Sequence, residues 1–334
     1  MSTVQADRGA REDEVAQGRW RIPKFALTAA LLALTGVGVA LYPGVAAWFS
    51  QAAQSQVVRS VEGEVAAEPS SSLSSELDRA RAYNEALSSG ALLPEQGRLP
   101  ESTGVASGVD VYEDLLNASS DGAMGRLRLP AIDLDLPIYH GTDDATLEHG
   151  VGHLEGTSLP VGGASQHSVL TAHRGLATAE LFTRLDEVRP GDLFSIEVFG
   201  EVLAYRVSGT QVVRPDEGEA LYPTFGKDLV TLVTCTPLGI NSHRILVTGE
   251  RVTPTPEAVL DDAGTPPEIP GFPWWAVGLG AAVVLLTAYV GWAGRPRRDG
   301  LGTPTANAGM RSADTMLISE TGAPAAMGRD NAPK

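Results

Sequence analysis

Hydrophobic and polar positions along the chain fall into distinct textures. Two stretches carry no charged side chain at all: 34 residues between Lys24 and Arg59, and 26 residues from Ile269 to Gly294. A helix needs about 20 apolar residues to cross a bilayer, so segments 25–49 and 272–294 are expected to span a membrane. Trp274, Trp275 and Trp292 mark the ends of the second run, as an interfacial belt would. Pro43 is expected to kink or end the first helix near its outer end. A cleaved signal peptide is the alternative for that run, but its apolar region exceeds the ~7–15 residues of an ordinary signal.

Between the two runs the periodicity changes twice. Leu73, Leu77, Ala80, Tyr83 and Leu87 recur at helical spacing, with Ser75-Glu76-Leu77-Asp78 as a capping box and Gly90 as a stop. Residues 91–108 read as loop, so 50–120 is taken as an exported helical and lid segment. From Arg126 onward, short β-rich runs appear: Leu127 to Leu136 and Phe194–Val198 alternate with polar neighbours, and Ser168–Thr171, Val202–Val207, Leu229–Thr234 and Ile245–Thr248 are further runs. Short strands separated by turn residues predict a mainly β core over 121–255, either a closed barrel or a sandwich. Five prolines between 253 and 271 predict a stiff extended spacer, assigned to 256–271. Residues 1–24 and 295–334 are expected to be cytoplasmic, the latter as a disordered tail.

Charge fixes an expected orientation. Arg19, Arg21 and Lys24 precede the first run and Arg295, Arg297 and Arg298 follow the second, so both termini are expected inside the cell. The formal net charge of −16 divides into −19 for residues 51–271 and +3 for the two ends together. An acidic exported domain is a poor nucleic-acid binder, because phosphate contacts need clustered Lys and Arg, and none is expected.

Chemistry then centres on a single cysteine. With one Cys there is no intrachain disulfide and no CxxC-type zinc site. Cys235 ends the run Thr231-Leu-Val-Thr-Cys235, where a strand hands over to a loop. It is either an inert buried thiol or a nucleophile, and a nucleophile requires a base or cation beside it. His173, in Thr171-Ala-His-Arg-Gly175, ends another β run 62 residues earlier and could serve as that base. Arg244, nine residues after Cys235, opens a strand and could donate hydrogen bonds to an oxyanion. His149 and His153 have the spacing of two ligands on a helix, but Gly150 and Gly152 argue against a helix there, and no metal is expected.

The run Thr231-Leu-Val-Thr-Cys235-Thr-Pro-Leu-Gly-Ile-Asn-Ser-His-Arg244 resembles the cysteine and arginine signature of the sortases, and Leu170-Thr-Ala-His173-Arg-Gly resembles their histidine segment. Leu136-Pro-Ile-Tyr-His140-Gly-Thr and the segment Gly150 to Gly163 resemble the class C, pilin-polymerising branch. The likeness spans roughly residues 75–255. It implies an eight-stranded sortase-type β-barrel with an N-terminal helical or lid segment and two flanking transmembrane helices. It further implies a cofactor-free cysteine transpeptidase of a Gram-positive cell membrane, acting on pilin or surface-protein substrates with LPxTG-like sorting signals, and the Ala- and Gly-rich composition points to an actinobacterium. In that resemblance Cys235 is the nucleophile, His173 the general acid and base, and Arg244 the oxyanion stabiliser, while His153 is structural. A housekeeping enzyme that anchors surface proteins to the cell wall and a non-catalytic sorting-peptide scaffold are the alternatives. Class C relatives often carry an Asp-Pro-aromatic triplet in the lid, and Ala91-Leu-Leu-Pro-Glu-Gln96 lacks it.

Overall fold

The first apolar run continues as one helix well past its expected end. In the computed structural model, which describes residues 20–88, 91–92, 101–102, 105–106, 112–117, 122–267 and 269–295, helix α1 spans Lys24–Ala67, 44 residues. At 1.5 Å per residue it is about 66 Å long, far more than a bilayer requires. Pro43 lies inside it and does not stop it. A proline costs one i→i−4 bond, which an uninterrupted apolar helix can absorb. Helix α2, Ser70–Ala86, begins five residues before the expected capping box and ends before Gly90. Pro69 precedes its first residue and the Ser70-Ser-Ser run supplies its first turn, so Ser75 is helical rather than a cap. Leu77, Ala80 and Tyr83 are buried against the barrel, as their spacing requires.

After α2 the chain forms an antiparallel hairpin. Leu87 and Ser88 pair with Ala106 and Val105, and Ala91 and Leu92 pair with Ser102 and Glu101, all in one constant register. Residues 93–100, including most of the expected lid loop, lie outside the described residues.

The core is a closed eight-stranded barrel, as the sortase resemblance implies. Its strands are β1 (Ala123–Leu129), β2 (Leu134–His140), β3 (Val151–His153), β4 (Gln166–Thr171), β5 (Leu193–Val198), β6 (Glu201–Val213), β7 (Asp228–Thr236) and β8 (His243–Arg251). Around the barrel they run β6-β8-β7-β4-β3-β2-β1-β5, and β5 closes onto β6. β7 pairs in parallel with β4, and β2 with β3, while the other neighbours are antiparallel. Strand alternation sorts the side chains. Leu127, Leu129, Ile196, Leu203, Val230, Leu232 and Val247 fill the main core, while Val169, Val233 and Leu246 join Leu154, Val213 and Leu221 in a second cluster.

Segment 256–271 is not a free extended spacer. It contains the short helix α4 (Glu257–Asp262) and then returns along the barrel. The Asp262 carbonyl accepts from Arg128, the Thr265 carbonyl from Arg126 (2.9 Å), and the Gly264 N–H donates to Glu197 (3.0 Å). These hydrogen bonds hold the segment on a charged face of the barrel. Helix α5, Trp274–Ala293, follows. Like α1 it is long and apolar enough to cross a membrane. The tail beyond residue 295 lies outside the described residues.

Candidate active site

Cys235 and Arg244 face each other directly across the β7–β8 ladder. Directly opposed antiparallel residues have Cα atoms only about 4.5–5.5 Å apart and send their side chains to the same side. That side is the one occupied by Val233 and Leu246, the second cluster, not the interior of the barrel. The thiol therefore sits in a wall at one end of the barrel, 7% exposed, with a fully buried guanidinium beside it. Arg244 is held in place by its own loop, donating through Nη1 to the carbonyls of Asn241 (2.9 Å) and His243 (3.1 Å). Burial draws its pKa below the ordinary arginine range, and the negative charge available at Cys235 works in the opposite direction.

His173 reaches the same end from β4. The parallel register pairs Leu232 with Leu170 and Val233 with Thr171, so two more residues along each strand bring His173 to the level of Cys235. The intervening Ala172 is gripped on both polar atoms: its N–H donates to the Val233 carbonyl (3.2 Å), and its carbonyl accepts from Thr234 Oγ1 (2.8 Å). The His173 carbonyl accepts from the Phe182 N–H (3.1 Å), which closes the following loop back on the histidine. All three residues singled out in the sequence converge at one end of the barrel.

Arg174 is the neighbour that sequence reasoning passed over. Its Nη1 donates to Thr236 Oγ1 (2.9 Å), its Nε to the Thr183 carbonyl (3.2 Å), and its Nη2 pairs with Asp186 (2.8 Å). It joins the residue after the histidine to the residue after the cysteine. The signal was present as an arginine wedged between His173 and Gly175. Gly175 itself has φ +73°, and any Cβ there would collide with Leu238 in the loop after Cys235. The left-handed backbone is what favours glycine here, since the half-exposed end of the Leu238 side chain can swing aside.

A family model described as "Sortase domain" matches residues 127–252. The structure of sortase C1 from Streptococcus agalactiae is 42% identical, with a TM-score of 0.53, covering 60% of this chain and 97% of that one. The chain belongs to the sortase family. A Streptococcus pneumoniae sortase C structure, described as giving insight into catalysis and pilin substrate specificity, is 39% identical with a TM-score of 0.53, covering 59% of this chain and 96% of its own. Among curated proteins, sortase D of Bacillus subtilis is 31% identical over 39% of this chain and 65% of that protein. The chain thus spans just under two thirds of the length of the first curated relatives it matches.

The segments of this sortase that resemble the class C branch build a buried clamp where β2 and β3 end. His153 is completely buried; its Nε2–H donates to the Ser158 carbonyl (2.9 Å), which leaves Nδ1 to accept from Tyr112 Oη (2.9 Å). Desolvation pushes its pKa down to about 4, so the ring is neutral. Tyr112 also accepts from the Gly141 N–H (3.1 Å) and packs edge-on against His140, whose Nε2 donates to the Leu115 carbonyl (2.7 Å). His153 and His140 fasten segment 112–117 to the barrel. His149 is the last residue of α3 (Asp144–His149), where its Nδ1 donates to the Ala145 carbonyl (2.7 Å), so the two histidines of the i, i+4 pair point to different partners.

Proposed function

We propose that this sortase is a membrane-anchored class C enzyme that polymerises pilins. Cys235 attacks the Thr–Gly carbonyl of an LPxTG-like sorting signal, and Arg244 stabilises the oxyanion that forms. The Thr–Gly C–N bond breaks, and protonated His173 gives its proton to the departing glycine amine. The acyl chain is left as a thioester on Cys235. A lysine amine of the next pilin then attacks that thioester, passes a proton to His173 and expels the thiolate, forming an isopeptide bond. Two acyl transfers of moderate barrier replace one direct amide exchange.

The observation that carries this reading is the register that sets Cys235 opposite Arg244 with His173 delivered beside them from β4. The similarity to solved sortase C structures supports the pilin branch. The two apolar helices support anchoring by α1 and α5, with both termini inside and the barrel outside.

Incubation with an LPxTG-type peptide followed by intact-protein mass spectrometry tests the chemistry. A mass gain equal to the peptide's acyl portion, absent in Cys235→Ala, is expected, and release of that acyl group onto an added lysine-containing pilin peptide in preference to a peptidoglycan-type amine identifies the branch. An unmodified Cys235 under conditions where the peptide binds would leave only the scaffold alternative.

A further inference from the structure

The order of contacts along α1 fixes which end of the barrel lies nearest the membrane. Trp48 of α1 packs edge-on against Trp275, the second residue of α5 (6.1 Å between ring centres), and donates to the Gly271 carbonyl (2.8 Å). Phe49 adjoins Trp275 as well (6.0 Å). Aromatic residues clustered where the apolar stretch of one helix gives way and another apolar helix begins suit a membrane boundary.

One helical turn further out, Gln51 donates to Glu180 (3.1 Å), a residue of the loop that follows His173. Gln54 donates to the His149 carbonyl (3.1 Å), just before β3. Only later in the helix does Val61 pack on Ala123 at the start of β1, with Val65 and Phe199 beside them. Ala123 and Phe199 belong to the end of the barrel opposite Cys235, since β1 and β5 carry them away from the His173 loop. The 14 residue steps from Gln51 to Val65 rise about 21 Å, which matches the length of a seven-residue strand at about 3.3 Å per residue.

The return segment gives the same order in reverse. From the Arg128 and Arg126 contacts of Asp262 and Thr265, it descends to Ser55, which donates to the Ile269 carbonyl, and then to Trp48. Both tethers therefore lie on one flank and hold the barrel at several heights.

We infer that the Cys235 end of the barrel faces the membrane and that the outer leaflet is the partner of that rim. The inference rests on the membrane-anchored reading of α1 and α5. Leu238 and Ile240, in the loop after Cys235, stand 52% and 72% exposed on this rim. Asp133, Asp186 and Glu187 share it as ion pairs with Arg184 and Arg174, a polar rim suited to headgroup contact rather than to burial in the acyl layer. The tethers, not insertion of the loop, set the orientation. A scissile peptide then has to be presented from the membrane side.

Two positions at opposite ends of β7 test this in the full chain reconstituted into lipid nanodiscs. In a Cys235→Ala background, Ile240→Cys and Phe225→Cys each carry one fluorophore, Phe225 being 96% exposed beyond the other end of the strand. Nitroxide lipids labelled at the headgroup should quench the label at 240 at least about threefold more than the label at 225. Equal quenching, the reverse order, or no quenching at either site overturns the inference. The readout needs no turnover, so failure of the transpeptidase chemistry, seen as the missing thioester mass, is a separate result.

Discussion

Arg174 donates to Thr236 Oγ1 across 2.9 Å, tying the residue after the histidine to the residue after the cysteine. Asp186 on its other side aims the guanidinium (2.8 Å). The contact leaves both reacting side chains untouched, so its work is to hold the distance between them. A hydrogen bond from a charged group is worth about 1.5–3 kcal/mol, and losing it lets two loops drift apart. Arg174→Ala is expected to lower kcat for thioester formation by about ten- to a hundredfold with KM nearly unchanged, and Thr236→Val by a smaller factor in the same direction. Arg174→Lys should recover part of the loss. Steady-state kinetics with an LPxTG-type peptide decide this, and a KM effect larger than the kcat effect would place Arg174 in substrate binding instead.

Arg244 poses a different test because it is buried against the thiol. Removing one oxyanion donor costs about 3–4 kcal/mol of barrier, or roughly 10²–10³ in rate. Arg244→Ala should reach that range. Arg244→Lys should not restore it, since an ammonium cannot donate at once to the Asn241 and His243 carbonyls and to an oxyanion in the fixed fork of a guanidinium. Rapid-quench measurement of the acylation step compares the two. Wild-type rates in the lysine variant would show that charge alone, without the fork geometry, suffices.

The residues of the site were more legible than the frame that carries them. Cys235, His173 and Arg244 stand out because each closes or opens a β-rich run, and strand ends are where a barrel presents chemistry. The barrel strands were readable too, since polar and apolar positions alternate through Phe194–Val198 and Leu229–Thr234 is a short run of Leu, Val and Thr. What the pattern could not show was that α1 continues past Ser50 to Ala67. Its outer part loses the apolar continuity of the membrane run, and only long-range contacts such as Glu62 with Arg126 reveal what it packs against. The return of segment 262–271 was hidden likewise, because prolines report stiffness but not the surface they are pressed onto. Arg174 was overlooked because a charged residue beside a histidine looks like a solvated loop residue until its three partners are known.

The neutral, buried His153 predicts a pH effect on stability. Its folded pKa of about 4 lies below the ordinary value of 6.5 because burial penalises the charged ring. The unfolded chain therefore takes up this proton first as the pH falls. The contribution is fully present above about pH 6.5 and is lost progressively down to about pH 4, amounting to at most about 3 kcal/mol. His140 and His167 are shifted in the same direction, also by burial, and add to the slope. Thermal unfolding of the barrel followed from pH 7 to pH 4.5 should show a falling Tm. His153→Gln should start from a lower Tm yet fall less steeply, and an unchanged slope would assign the acid sensitivity to the other two histidines.

The last expectation concerns Arg126, which the fold has taken almost entirely out of water. Its Nε and Nη2 hold Asp135 in a two-point grip (2.7 and 2.6 Å), while Nη1 meets Glu62 of α1 and the Thr265 carbonyl (2.9 Å) of the return segment. One side chain thereby joins the barrel to both of its tethers. Burial raises the pKa of Glu62, with the nearby carboxylates of Glu197 and Asp135 adding to the rise and Arg126 opposing it. Removing the arginine leaves three acids facing each other, so Arg126→Met is expected to cost about 3–5 kcal/mol. Glu62→Gln keeps the arginine paired with Asp135 and should cost about 1 kcal/mol. The two variants separate further in protease sensitivity. Loss of Arg126 should expose the 262–271 segment to cleavage under conditions in which the barrel remains folded, because that segment owes its place to Arg126, Arg128 and Glu197. Cleavage rates equal to wild type in Arg126→Met would show that α1 alone, through Ser55 and Trp48, fixes the return segment.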